Sequence, residues 1–124
     1  MHVVNETEAR TITTPAGTMV GLAGPSQGSV ELSTWRVLMQ EGVSSPVHSI
    51  DREQVWMPTS GAFEFTIDDE TSKVSTGQAV VVPAGATRQF HAVGGPTEAL
   101  VCMRVGGRAT PAGSDTSVPL PWAE

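Results

Sequence analysis

The chain has 124 residues, of which 39% are hydrophobic and 16% charged, with a formal net charge of −6. That length suits one domain burying roughly two-thirds of the surface its unfolded chain exposes. The acidic balance leaves no basic footprint for nucleic acid or an anionic membrane surface, and no apolar run reaches the roughly 20 residues of a membrane-spanning helix.

The opening MHVVNETEAR has neither the basic nor the apolar region of a secretory leader, so a soluble, cytoplasmic protein is expected. Thr11 to Thr14 and Thr18 to Ala23 alternate at period two and are expected as strands joined at Pro15-Ala16-Gly17. After the loop GPSQGS, Val30 to Gln40 is the longest expected strand, with Ser33, Thr34 and Trp35 favouring strand over helix. EGVSSP turns the chain, and short strands are expected at Val47 to Ile50 and Glu53 to Met57, around an Asp51-Arg52 bend. Pro58-Thr59-Ser60-Gly61 reads as a break before Ala62 to Asp68. There Phe63, Phe65 and Ile67 share one face, and Glu64 and Thr66 the other. Asp68 to Ser72 reads as a hairpin turn. Ala79 to Pro83 is expected to be buried on both faces. Thr87 to Val93 and Glu98 to Val105 complete the set, and Cys102 within the last strand is read as a buried hydrophobe. As the only cysteine it has no intrachain disulfide partner.

From Gly106 the composition shifts to Gly, Pro and Ser, with Val118, Leu120 and Trp122 the only large apolar groups. One reading is a disordered terminus. The favoured one is an extended arm docked on the barrel or on a neighbouring subunit, because burial gains roughly 25 cal/mol per Å² of apolar surface. The expected organisation is one barrel domain over residues 1–105 and an arm over 106–124. Some ten short strands and no long helix indicate an all-β barrel or double-sheet sandwich.

Two glycine-framed segments then line up with a family. Gly42, five residues, His48 and later Gly61 resemble the first cupin motif, in which a glycine precedes H-x-H, an acid follows and a second glycine closes. GQAVVVPAG, from Gly77 through Pro83 to Gly85, resembles the glycine-proline-glycine frame of the second motif, which a histidine follows. The resemblance runs from about Val30 to Val105, and the PLPWAE ending is similar to the C-termini of many small bacterial cupin-like proteins. It implies a small jelly-roll β-barrel (a double-stranded β-helix) with a pocket at one end, and a homodimer. In cupins the two motifs give three histidines and a glutamate to a metal ion. Carried over position by position, these ligands become His48, Ile50, Gln54 and Arg88, and the asparagine often ending the second motif becomes Ala92. One ligand of four remains, so neither a metal nor another cofactor is expected.

Period two places His48, Ile50, Gln54 and Trp56 on one face, and Arg88, Phe90 and Ala92 inward on the later strand, with Gln89 and His91 outward. A cation at Arg88 favours neutral His48, which can then act as general base, while the guanidinium clamps an anionic oxygen. Gln54 would orient a carbonyl or hydroxyl, and Ile50, Trp56 and Phe90 would form a dry wall. The expected partner is a small anionic or carbonyl-bearing organic molecule, and the expected chemistry that of a metal-independent isomerase, cyclase or lyase. A metal-dependent oxygenase or isomerase using His48 and Gln54 is the first alternative. It needs a third ligand, and His91 or Glu53 would serve only after a local shift of the strand. The second alternative is a non-catalytic binding or dimerisation module. In that case Arg88 would simply pair with Glu53 or Glu41.

Overall fold

The computed structural model describes every residue from Met1 to Glu124. Its strands are β1 (Thr11–Thr14), β2 (Gly17–Gly21), β3 (Leu32–Met39), β4 (His48–Ile50), β5 (Gln54–Ile67), β6 (Glu70–Ser75), β7 (Val80–Val82), β8 (Thr87–Arg104), β9 (Arg108–Pro111) and β10 (Val118–Pro119). All strand pairs are antiparallel, and the sheet curls into a jelly-roll barrel. The helical pieces are three-residue 3-10 turns, and no helix is long and apolar enough to cross a membrane.

Two long strands organise the barrel. β5 and β8 pair from Gln54–Pro58 against Ala99–Met103, and again from Ala62–Ile67 against Arg88–Val93. The sequence expectation divides each of them in two, whereas both run as continuous strands. The Pro58–Gly61 stretch makes bulges instead of a turn, with the register slipping on both sides of Ser60. Gly61 adopts φ +65°, and a Cβ there would sit 2.6 Å from Thr97 Cγ2, so only glycine fits this crossing. A bulge bends a strand without ending it, which turns β5 and β8 around the corner of the barrel.

Three further expectations change. The hairpin turn contracts to Asp68-Asp69, both at positive φ, and Glu70 already begins β6. Val82 is fully buried but Val81 is 56% exposed, because β7 pairs with β5 alone and keeps one face in solvent. Past Val105 the chain gains strands: β9 pairs with β4, and β10 with β9. Leu120 and Ala123 are buried, Trp122 packs on the core, and Ser33 Oγ donates to the Ala123 carbonyl at 2.5 Å. Residues 106–124 thus lie on their own barrel.

Period two holds along the site-bearing strands. Gln54 and Trp56 are buried while Val55 and Met57 face out, and Arg88, Phe90 and Ala92 are buried with Gln89 and His91 only half-buried. The inward rings form one cluster, Trp56 lying 4.4 Å from Phe90 and 5.3 Å from Phe65 between centroids. Such pairs each contribute about 0.5–1.5 kcal/mol beyond their buried area. This cluster is the floor of the barrel's cavity.

Candidate functional site

A cavity of about 730 Å³ opens above that floor, a size that suits a small organic molecule. Ile50, Trp56 and Phe90 line it as the sequence suggests, and so do His48 and Gln54. The remaining wall was not legible in the motifs. β3 contributes Trp35, Val37 and Met39, and the arm contributes Val118 to Trp122. The signal for the arm was its Val-Pro-Leu-Pro-Trp run, an apolar segment that needs a surface to cover. All three tryptophans of the chain face this space.

His48 is the one titratable side chain in the lining. β4 is a three-residue strand held between β8 and β9, so the ring is positioned by backbone pairing on both sides. Its Nδ1 lies 2.7 Å from the Pro46 carbonyl oxygen. A carbonyl only accepts, so Nδ1 carries the proton and Nε2 holds a lone pair. Nε2 makes no hydrogen bond within the protein and is not a sealed atom, and His48 is part of the cavity lining. Burial pulls the imidazole below its ordinary pKa of 6.5; the Pro46 carbonyl pushes the other way, and the Arg88 cation adds to the lowering. His48 is therefore a neutral acceptor at pH 7.

Gln54 is fixed by its neighbours. Trp56 Nε1 and Arg88 Nη1 both donate to its Oε1, at 3.1 and 3.3 Å. Both partners are obligate donors, which settles the amide orientation. Its Nε2 makes one long contact, 3.5 Å to Met103 Sδ. Sulfur is a weak acceptor, so this N–H₂ retains donor capacity.

Arg88 is buried, at 1% exposure, and pairs with His48 across β4 and β8. It does not line the cavity. Its Nε donates to the Ala86 carbonyl, Nη1 to Gln54, and Nη2 to the Pro83 and Ala86 carbonyls. The turn from β7 into β8 folds those carbonyls back over the guanidinium. Burial pulls its pKa down to about 10, against an upward pull from Asp68, so it stays a cation at neutral pH. The direct anion clamp expected from sequence is corrected accordingly: inward placement holds, but the fork is spent on the protein. Nor does Arg88 form an ion pair; the chain's arginine ion pairs join Arg36 to Glu6 and Glu98 and Arg52 to Asp51. Glu53 and Glu41 are not its partners.

Metal-binding capacity can be read from the donors. No three His, Cys, Asp or Glu side chains gather anywhere in the chain. Among the motif positions, Ile50 has no donor, the Gln54 oxygen already accepts twice, and Arg88 is itself a cation. His91 points outward to Glu64, at 3.6 Å.

The sequence profile of the cupin domain matches residues 35–103, more than half of the chain. The chain belongs to the cupin family. Solved structures with this cupin's fold include the DMSP lyase DddQ from Ruegeria pomeroyi DSS-3, at 22% identity and TM-score 0.63, over 71% of this chain and 46% of that one. An oxalate decarboxylase from Bacillus subtilis matches at 15% identity and TM-score 0.74, over 83% of this cupin and 29% of that chain. KdgF from Halomonas sp. matches at 19% and 0.65, over 83% and 86%. The cupin therefore spans less than half the length of the first two, and the likeness at these identities is one of fold. No curated protein matches the sequence.

Proposed function

We propose that this cupin binds a small carbonyl-bearing organic molecule in its cavity and moves a proton on it without a metal, as an isomerase, cyclase or lyase does. The carrying observation is that His48, the sole titratable group in the lining, is locked with a free Nε2 lone pair. Its donor set does not fit a divalent ion, which takes three or four N, O or S ligands. Fold alone assigns no chemistry, but lyase and decarboxylase relatives agree with small-molecule work in this barrel.

The step needs only groups already present. Nε2 removes a proton from the carbon beside the carbonyl, the C–H electron pair becomes the enolate C=C bond, and the carbonyl π pair moves onto oxygen. The Gln54 N–H₂ donates to that oxygen. Returning the proton from Nε2 to the opposite face of that carbon, or to the γ-carbon where a second C=C is conjugated with the enolate, completes an isomerisation with all atoms accounted for. Arg88 acts through others as a positioning residue: it holds the Gln54 amide in register, and its field adds to the burial that keeps His48 unprotonated.

The test is deuterium exchange at the α-carbon of 2-tetralone in heavy water, followed by proton NMR. The protein should accelerate exchange over buffer, and His48→Gln should remove the acceleration, whereas EDTA should not. Persistence in His48→Gln or loss with EDTA contradicts the proposal. A homodimer belongs to the same reading, supported by outward Met57 and Val81, each more than one-third exposed on neighbouring strands. A light-scattering mass near one chain's 13.0 kDa would remove it.

A further inference from the structure

The cavity's composition narrows what it can take. Its walls are mainly Trp35, Trp56, Trp122, Phe90 and aliphatic side chains, with the uncharged Thr14, Ser44, Ser45 and Gln54 beside His48, and no lysine, arginine, aspartate or glutamate is among them. A permanently charged ligand would leave its hydration shell and touch no counter-charge in the lining, at a cost of several kcal/mol. Arg88 lies behind the lining and makes no direct contact with a ligand there, since its three nitrogens are bonded to Gln54, Pro83 and Ala86. Flat rings, by contrast, gain area and edge-to-face contacts against indole and phenyl walls.

The polar side of recognition is equally constrained. His48 Nδ1–H is spent on Pro46, so the imidazole presents an acceptor to the cavity. Nε2 has no donor within the protein, so a ligand that displaces water from it must supply one, and a site that pairs with a hydroxyl rejects analogues lacking it. We infer that the ligand is an uncharged aromatic molecule whose phenolic or enolic hydroxyl donates to His48 Nε2, between walls supplied by β3, β5 and the C-terminal arm. This rests on the reading above that the cavity is the site, and it names the class of molecule entering it.

The experiment is isothermal titration calorimetry of the full chain at pH 7.5 with 2-naphthol, 2-methoxynaphthalene and 2-naphthoate. These share a ring system and differ in donor and charge. 2-Naphthol is expected to bind at least about tenfold tighter than either of the others, the worth of one good hydrogen bond. In His48→Leu the naphthol and its methyl ether should bind alike. In His48→Gln, where a carbonyl oxygen can accept instead, part of the preference should return. Trp122→Ala should weaken naphthol and ether together, because it removes wall and not donor recognition. Equal affinity of naphthol and ether for the natural chain overturns the hydroxyl assignment, and naphthoate binding as tightly as naphthol overturns the uncharged class. Heat from no probe, or binding unchanged when Ala109→Trp fills the cavity, overturns the site itself. Circular dichroism melts establish that each variant is folded.

Discussion

At His48, one hydrogen bond decides the chemistry. Were Nδ1 free, either nitrogen could carry the proton and the ring could turn; the Pro46 carbonyl at 2.7 Å removes both freedoms. Burial, helped by Arg88, holds the folded-state pKa below 6.5, so as pH falls the unfolded chain takes the proton first. The stability His48 contributes is therefore complete above about pH 6.5, declines as pH drops toward the lower folded-state value, and is fully lost beneath it. Urea midpoints at pH 7.5 and pH 5.0 should fall further for the natural chain than for His48→Gln. An equal fall would place His48 in an environment that does not perturb it. Residue identity and strand phase were legible in sequence here, because alternation assigns each side chain a face. Phase does not say what a long side chain reaches once inside. Arg88 points inward as its strand position requires, but the Pro83–Ala86 turn offers it carbonyls before any ligand could.

At the scale of elements, the site depends on β5 and β8 bending without breaking. Pro58-Thr59-Ser60-Gly61 has the composition of a turn, and only the facing strand makes it a bulge; that partner is a tertiary fact that local sequence does not hold. Two glycines separate backbone strain from crowding. Gly42 and Gly61 both have positive φ, at +79° and +65°, but a Cβ at Gly42 meets nothing within 4 Å while one at Gly61 meets Thr97 Cγ2 and Pro96 O below 3.0 Å. Gly42→Ala should cost roughly 1 kcal/mol of left-handed backbone strain. Gly61→Ala pays the same plus the clash, about 1–3 kcal/mol more by analogy with overpacked cores. Denaturant unfolding of the two variants reads the difference, and equal losses would mean that the β5–β8 crossing has room to relax.

On the scale of the whole molecule, a barrel closed by its own C-terminal segment explains why the fold was readable and the pocket less so. The glycine-proline frames and short alternating runs are local patterns, and they suffice for a jelly roll. The arm has no periodicity, and its burial is set by what lies beneath it: Leu120 and Ala123 dock, while Val118 to Trp122 together wall the cavity. With three tryptophans and no charged side chain in its lining, the cavity is an apolar pocket with few polar readers, of which only the His48 imidazole can titrate. That picture is tested most directly by nitrogen-15 NMR of the His48 side chain at pH 7, assigned by comparison with His48→Gln. The expected result is a neutral ring protonated at Nδ1, with an Nε2 resonance in the unprotonated range that moves on addition of 2-naphthol. An imidazolium at pH 7, or a ring carrying its proton on Nε2, would contradict it.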